Sequence, residues 1–482
     1  MPVLYAARGS EPKRVGVRMN VDKRLFGFSR FWQGESDRRR WIFVVIAVVA
    51  LVIRLTPLLR AGDRWAVLDD SHDYLALSKG IVTGCGFARW TNAGCAPAEL
   101  LRTPGYPLLL AILPENLRWV VALQALFSAS ICLMVGLFSY RQWGFKAAVI
   151  AEALLTLDLP SIVASASIMT DMPFQALLTT AVVLQLYAMR RARLDAEAVY
   201  MIMFAALLLG CALMVRPIGS FLLFFAAAPA LLISGMTRTT RLGLCAAAIA
   251  IPALMMTVWA ARNARLGGIC TLSTIVVYNL YYYRSAGVLA YTTGASLAEV
   301  QNLLAKGLGL SHPSPFLTPS VYNEMWRGSL HILLSNTLAT AVLSFRILIW
   351  LAIVPDRANL NAILGTNARS SQFLVASSDI VLRLKDLLHS PALTVLVLLQ
   401  MALIAFMWIG VGSAMIGIRG RKRQDVVMLR YLLCIAVIML VLAAGPEAIA
   451  RYRSPAMPFL AMVAGVGWSG ASKTPEAAEN RP

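Results

Sequence analysis

Residues 63–107 read DRWAVLDDSHDYLALSKGIVTGCGFARWTNAGCAPAELLRTPGYP, a polar, turn-rich stretch in a chain that is otherwise mostly apolar. It holds three close carboxylates (Asp69, Asp70, Asp73), two cysteines (Cys85, Cys95) and the run Arg102-Thr103-Pro104-Gly105-Tyr106-Pro107. An apolar run of membrane length, Trp41 to about Leu59, precedes it, and a succession of such runs follows. Over the whole chain 59% of residues are hydrophobic and 14% charged, against about a quarter charged in an ordinary soluble domain. The chain therefore reads as an all-α polytopic membrane bundle, because in lipid each span must satisfy its own backbone hydrogen bonds. A membrane barrel would show alternating segments of about ten residues, and there are none.

Spans are expected near 41–59, 119–140, 145–162, 172–190, 198–215, 217–234, 241–261, 391–418, 428–446 and 454–470. Residues 331–354 are ambiguous, either crossing or lying along the interface and bending back. The expected total is about 10–12 spans of roughly 20 residues each. The net charge of +20 raises the question of nucleic acid, but its placement answers it. Basic residues cluster in the N-terminal tail, at Arg190 to Arg193, at Arg238 to Arg241 and at Arg419 to Arg423, the pattern of cytoplasmic loops, and no nucleic-acid-reading module accompanies them. The N-terminus is then cytoplasmic and residues 63–107 lie outside. With an even number of spans both ends are inside. The expected organisation is a basic tail (1–40), an N-terminal transmembrane module (41–261) containing the outer loop 60–118, a second outer region with interfacial helices (262–390), C-terminal spans (391–470) and a polar tail (471–482). Residues 1–40, with ten Lys/Arg and four Asp/Glu, are too long and polar for the first part of a cleaved signal peptide. Cys132, Cys211, Cys245 and Cys434 read as small hydrophobes. Cys85 and Cys95 either pair, given an oxidising compartment, or stay free. Arg54, inside the first span, either snorkels outward or faces a polar cavity.

Residues 72–79 suit a short amphipathic helix, with Tyr74, Leu77 and Ile81 on one face and Gly80 or Gly84 ending it. Asp70 and Asp73 have two readings: an N-cap with its returning acid, or a general base at a dry interface whose pKa the crowding of acids helps raise. Pro104-Gly105 suits the centre of a type II turn, and Pro107 can open a short helix over Leu108 to Leu113. Arg102 could hold a phosphate or one of the aspartates. Asp171, before Met172-Pro173, is either a helix cap or a polar group for an acceptor. Arg451 and Arg453 flank Tyr452 and either bind phosphate through their fixed guanidinium forks or snorkel and pair with Glu447. Arg262 and Arg284 are further phosphate candidates. Tyr278, Tyr281, Tyr282 and Tyr283 could stack on a sugar or form an interfacial aromatic belt. His72, His312, His331 and His389 lack ligand spacing, and no Cys/His cluster supports a divalent metal site. There is no Walker loop or dinucleotide fingerprint, which argues against a nucleotide-sugar donor or ATP-driven transport.

Asp-x-x-x-Tyr (Asp70 to Tyr74) after the first span, followed by Arg102-Thr-Pro-Gly-Tyr-Pro107, resembles the first outer loop of GT-C glycosyltransferases, in particular the branch of protein O-mannosyltransferases and lipid A aminoarabinose transferases. Thr170-Asp171, Arg216-Pro217, Trp259-x-x-Arg262-Asn263 and Arg451-Tyr452-Arg453-Ser454-Pro455 follow in the family's order, so the resemblance covers roughly 40–470. It implies a GT-C bundle in a bacterial inner membrane, acting as an inverting transferase. The donor would be a polyprenyl-phosphate-linked sugar and the acceptor a lipid, glycan or protein, met on the periplasmic face. It implies Asp70 as base with Asp69 and Asp73 as fallbacks and Asp171 as a second acid; Arg451, Arg453, Arg262 and Arg102, read from their guanidinium chemistry, would lie around the donor phosphate. Tyr74, Tyr106, Tyr278 and Asn279 would meet substrate. The family's glutamate after the first acid is Ser71 here, so metal and acceptor details do not carry over. The rival functions are a flippase or transporter of lipid-linked sugar, and an oligosaccharide polymerase or ligase. A transporter places ionisable groups near the midplane and often shows paired halves, whereas these acids fall in a loop.

Overall fold

A computed structural model of the chain describes residues 37–59, 66–191, 193–233, 235–314, 317–354, 391–445 and 448–470. The chain falls into two units, Met1–Ile42 and Phe43–Pro482, and the candidate site lies in the second. Helix α1 (Asp37–Leu55) is followed by α2 (Asp69–Val82), a hairpin of β1 (Ala88–Thr91) and β2 (Gly94–Ala98), and α3 (Gly105–Ala111). The first bundle comprises α4 (Leu117–Trp143), α5 (Phe145–Thr156), α6 (Leu159–Ala166), α7 (Asp171–Met189) and α8 (Ala196–Val215). A 3-10 stretch (Pro217–Ala227) runs into α9 (Ala228–Leu232), and α10 is Arg238–Gly267. Next come α11 (Ile275–Asn279), a π-helical turn (Leu280–Ser285), α12 (Ala286–Thr293), α13 (Leu297–Gly307), α14 (Pro319–Ser335) and α15 (Thr337–Ile353). The chain ends in α16 (Pro391–Ile416), α17 (Arg423–Ala443), a 3-10 turn (Ala450–Ala456) and α18 (Met457–Trp468).

Among the described residues seven helices are long and apolar enough to cross a membrane, and up to nine if each of two bent pairs counts as one span. The protein is a multi-pass integral membrane protein, helical apart from the β1–β2 hairpin among its described residues. The range 145–162 is a bent pair, α5 and α6, meeting at 50°. The bend has two causes. Asp158 accepts from Ser161 N at 3.1 Å and so starts a new helix, with Pro160 in its first turn. Arg54, fully buried, donates to the last carbonyls of α5, from Nη2 to Leu155 O at 2.9 Å and from Nη1 to Thr156 O at 3.2 Å, and from Nε to Ser128 Oγ at 2.6 Å. Its guanidinium thus caps a broken helix end instead of snorkelling. The range 331–354 divides at Asn336, where α14 and α15 meet at 93°. Residues 217–232 are apolar but largely 3-10. Residues 457–468 form a core helix, buried along almost all of its length. Small residues let it approach its neighbours closely: a Cβ on Gly467 would come within 1.8 Å of Gly410 O.

The basic clusters lie at one end of these spans, whichever way each helix runs. Helix α7 begins at Asp171 and is capped by Arg190, α8 ends beside Arg216, α10 starts at Arg238, and α17 starts at Arg423. Asp171 and Arg216 therefore sit at the helix ends opposite the basic clusters.

Candidate active site

Helix α2 runs over 69–82, longer than the expected 72–79, because Ser71 and not an aspartate closes its first turn. Leu68 N donates to Ser71 Oγ at 2.9 Å, and that hydroxyl donates to Ile168 O at 2.8 Å, tying α2 to the α6–α7 turn. Asp70 and Asp73 are released from capping and meet guanidinium groups instead. Arg102 Nη2 donates to Asp70 Oδ1 at 2.7 Å and to Asp73 Oδ2 at 2.9 Å, while its Nε reaches Asp73 Oδ2 at 3.2 Å. Arg89, on β1, donates to Asp73 Oδ1 at 2.6 Å and to Glu99 Oε2 at 2.6 Å. Glu99 Oε1 accepts from Leu101 N at 2.6 Å.

The hairpin that carries Arg89 is held close to α2. Cys85 and Cys95 form a disulfide with 5.5 Å between their Cα atoms, which resolves the two readings of that pair. Gly80 lies inside α2, not at its end, and a Cβ there would come within 1.9 Å of Ala88 O. Gly105 likewise opens α3 because a Cβ would come within 2.8 Å of Met214 backbone. Its φ is not positive, so Pro104-Gly105 forms a helix start and not the expected type II turn.

Beneath Arg102 lies the Tyr74 ring, 5.1 Å from the guanidinium carbon and edge-on to Tyr106 at 5.2 Å. Tyr106 is fully buried and donates to Gln124 Oε1 at 3.0 Å. It is a floor under the site and does not reach its surface.

The second acid, Asp171, is fully buried at the first position of α7. Its side chain does not cap the helix. Oδ1 accepts from Arg216 Nη1, and Oδ2 lies 3.9 Å from Arg451 Nε. The Arg216 guanidinium lies 5.4 Å over the Tyr452 ring. The two ionic groups form one electrostatic neighbourhood. Burial works to raise the Asp70 pKa, but the charge and hydrogen bond of Arg102, then the charges of Arg451 and Arg216, outweigh it and bring it below the ordinary carboxylate range. Crowded acids were expected to raise a carboxyl pKa, and the intervening guanidinium reverses the sign. Burial also opposes the charge of Arg102, yet Tyr74, Asp70 and Asp73 raise its pKa. The Tyr278 hydroxyl is raised by burial first, and it feels both Arg102 and Asp70, so α11 borders the same neighbourhood. Asn279 is half-buried beside it.

Other predicted residues serve the backbone. Arg453, fully buried, donates from Nη1 to Leu351 O and Val354 O, each at 2.9 Å, at the end of α15. Arg262 donates to Glu99 O at 2.6 Å and Phe87 O at 3.0 Å, with Trp259 4.9 Å from its guanidinium. Arg284 donates to Leu442 O at 2.7 Å. Among these, Arg262 props the hairpin loop and the other two end helices. Glu447, the expected alternative partner of Arg451, lies outside the described residues, as does His389. Arg89, Glu99 and Gln124 had no predicted role. Their only sequence signal is their place in a polar loop or an apolar span. No group of three or more His, Cys, Asp or Glu side chains that could hold a metal ion occurs among the described residues.

No family model matches the chain, and no curated protein is a significant match. Solved structures are similar to it at low identity. The archaeal oligosaccharyltransferase AglB from Archaeoglobus fulgidus, in complex with an inhibitory peptide and a dolichol-phosphate, gives a TM-score of 0.49 at 16% identity over 91% of this chain and 51% of that one. ArnT from Cupriavidus metallidurans, bound to undecaprenyl phosphate, gives 0.38 at 14% identity over 89% of this chain and 78% of that one. The chain thus spans about half the length of the archaeal enzyme. Likenesses at this level assign no residue a role.

Proposed function

We propose that this chain is an inverting membrane glycosyltransferase of the GT-C type. It would transfer a sugar from a polyprenyl-phosphate donor to an acceptor on the periplasmic face of a bacterial inner membrane, with its N-terminus cytoplasmic. The observation that carries the proposal is the convergence of Asp70, Arg102, Asp171, Arg216 and Arg451, from distant segments, into one ionic neighbourhood. Asp171 and Arg216 stand at helix ends facing away from the basic clusters. A transport path would instead favour acids near the bilayer midplane.

In the proposed reaction Asp70 is the base. Its side chain is 41% exposed, and its Oδ2 makes no hydrogen bond among the described residues. Because its pKa is low, Asp70 is ionised at neutral pH and cannot strip a proton from a resting alcohol. It takes the proton as the acceptor atom bonds to the anomeric carbon, when that proton has become acidic. The bond from the anomeric carbon to phosphate oxygen breaks on the opposite face, and its electron pair stays with the phosphate. Arg451 and Arg216, both on Asp171, are the guanidinium groups that would stabilise this developing charge. Tyr278 borders the acceptor side.

The test supplies purified protein with a labelled polyprenyl-phosphate sugar and follows release of free polyprenyl phosphate. Asp70→Asn should lower turnover by about 10²- to 10⁴-fold, the usual worth of a positioned base, while thermal unfolding and lipid binding persist. Full activity in that variant would remove Asp70 from the role. No release by the wild type would remove the transferase reading.

A further inference from the structure

We infer that Arg89 and Glu99 are positioning residues for Asp70, acting through a ladder of alternating charge. The inference rests on the transferase reading above. The ladder runs from Glu99 to Arg89 to Asp73 to Arg102 to Asp70, with contacts of 2.6, 2.6, 2.9 and 2.7 Å. One end is rooted in the protein. The Glu99 side chain is 3% exposed, and its second oxygen holds Leu101 N, the residue before Arg102. The other end, Asp70, is open.

Each rung constrains the next. Arg89 spends Nη1 on Asp73 and Nε on Glu99, and the fixed plane of a guanidinium transmits the direction of one contact to the other. Asp73 is held through Oδ1 by Arg89 and through Oδ2 by Arg102, so its carboxylate plane is set on both sides. Arg102, gripped by Asp73 through Nε and Nη2, presents that same Nη2 to Asp70. The strand carrying Arg89 is itself held, because its neighbour Trp90 pairs with Cys95 across the hairpin and Cys95 is bonded to Cys85. Asp70 is thus aimed from a buried carboxylate on the far side of the hairpin. Misplacing a reacting group by about 1 Å costs on the order of 10²-fold in rate.

Keeping or removing the cation on Asp73 separates aiming from scaffolding. Arg89→Gln and Glu99→Gln should each lower kcat about 10- to 100-fold with KM for the donor little changed. The double variant Arg89→Glu/Glu99→Arg rebuilds the hairpin ion pair but sets a carboxylate against Asp73. It should stay as slow as Arg89→Gln and regain little thermal stability, because the new carboxylate repels Asp73 and Leu101 N loses its acceptor, whereas Arg89→Lys, which keeps a cation on Asp73, should recover part of kcat. Recovery of wild-type kcat by the double variant would overturn the inference, as would single variants with unchanged kcat. A thermal-unfolding cycle of Arg89→Gln against Asp73→Asn reads the ladder without turnover. If that coupling is present while the wild type releases no polyprenyl phosphate, the transferase reading has failed and the ladder has not. Absence of coupling overturns the ladder itself.

Discussion

Replacing Arg102 by leucine tests how far the pairing of Asp70 with Asp73 depends on the guanidinium between them. Leucine keeps an apolar stem over the Tyr74 ring and removes the charge. Three hydrogen bonds to carboxylates are lost, two to Asp73 and one to Asp70. Intact charge-assisted bonds are worth about 1.5–3 kcal/mol each, but Asp70 is 41% exposed and water replaces much of its share. The net cost at pH 7 is about 3 kcal/mol, at the lower end of the roughly 3–5 kcal/mol for breaking a buried pair. The pH dependence carries the stronger test. The folded-state pKa of Asp70 is lowered, so its contribution is fully present above the unfolded-state pKa and disappears as pH falls through the folded one. Arg102→Leu removes the largest part of that contribution, leaving the charges of Arg451 and Arg216, and the gap between wild type and variant should be widest near neutrality and narrow as pH falls below about 4. Tryptophan fluorescence during thermal unfolding in detergent, at pH 7 and at about pH 3.5, measures it. A gap that is constant or wider in acid would refute the reasoning.

Two further perturbations follow from the same geometry. Asp171→Asn leaves Arg216 and Arg451 against a neutral amide and should cost about 3–5 kcal/mol, whereas Asp171→Leu/Arg216→Leu, which removes the carboxylate with its nearer guanidinium and leaves only the more distant Arg451, should be less destabilising; calorimetry of the set decides, and equal losses would contradict it. Opening the disulfide with Cys85→Ser/Cys95→Ser, which closes a loop of sequence separation 10, should destabilise the hairpin by about 3 kcal/mol. Hydrogen exchange at Trp90 and at position 95 would report this, and unchanged protection there would show that the strands hold without the bond.

Most spans were legible because a lipid environment leaves only long apolar helices: the seven helices long enough to cross among the described residues fall where such runs were read, but the total of seven to nine is below the expected 10–12. The polar loop declared itself by contrast with its flanks. Convergence of Asp70, Asp171, Arg216 and Arg451 was legible only through the order of short motifs, since nothing local ties residue 70 to residue 451. What escaped were choices settled by tertiary distance. An arginine near a helix end can serve phosphate or a carbonyl, and Arg453 and Arg262 found carbonyls while Arg451 reached a carboxylate. Asp70 and Asp73 have the spacing of a cap, but Ser71 between them performs it, because its short hydroxyl reaches both Leu68 N and Ile168 O. The range 145–162 was read as one span on its length and apolar flanks, although Asp158 and Pro160 carry the signal of a new helix start at the break.

That break has a consequence for how the chain enters the bilayer. Arg54 finds its acceptors at Ser128, Leu155 and Thr156, 74, 101 and 102 residues later. Until then the first helix carries a charge whose insertion costs roughly 2.5–3.5 kcal/mol. At about 5–20 residues per second, a ribosome needs on the order of 5–20 s to deliver the partners. The charge on the first span is thus answered by carbonyls of the third hydrophobic segment, so the packing of those two spans is coupled across 101 and 102 residues of chain.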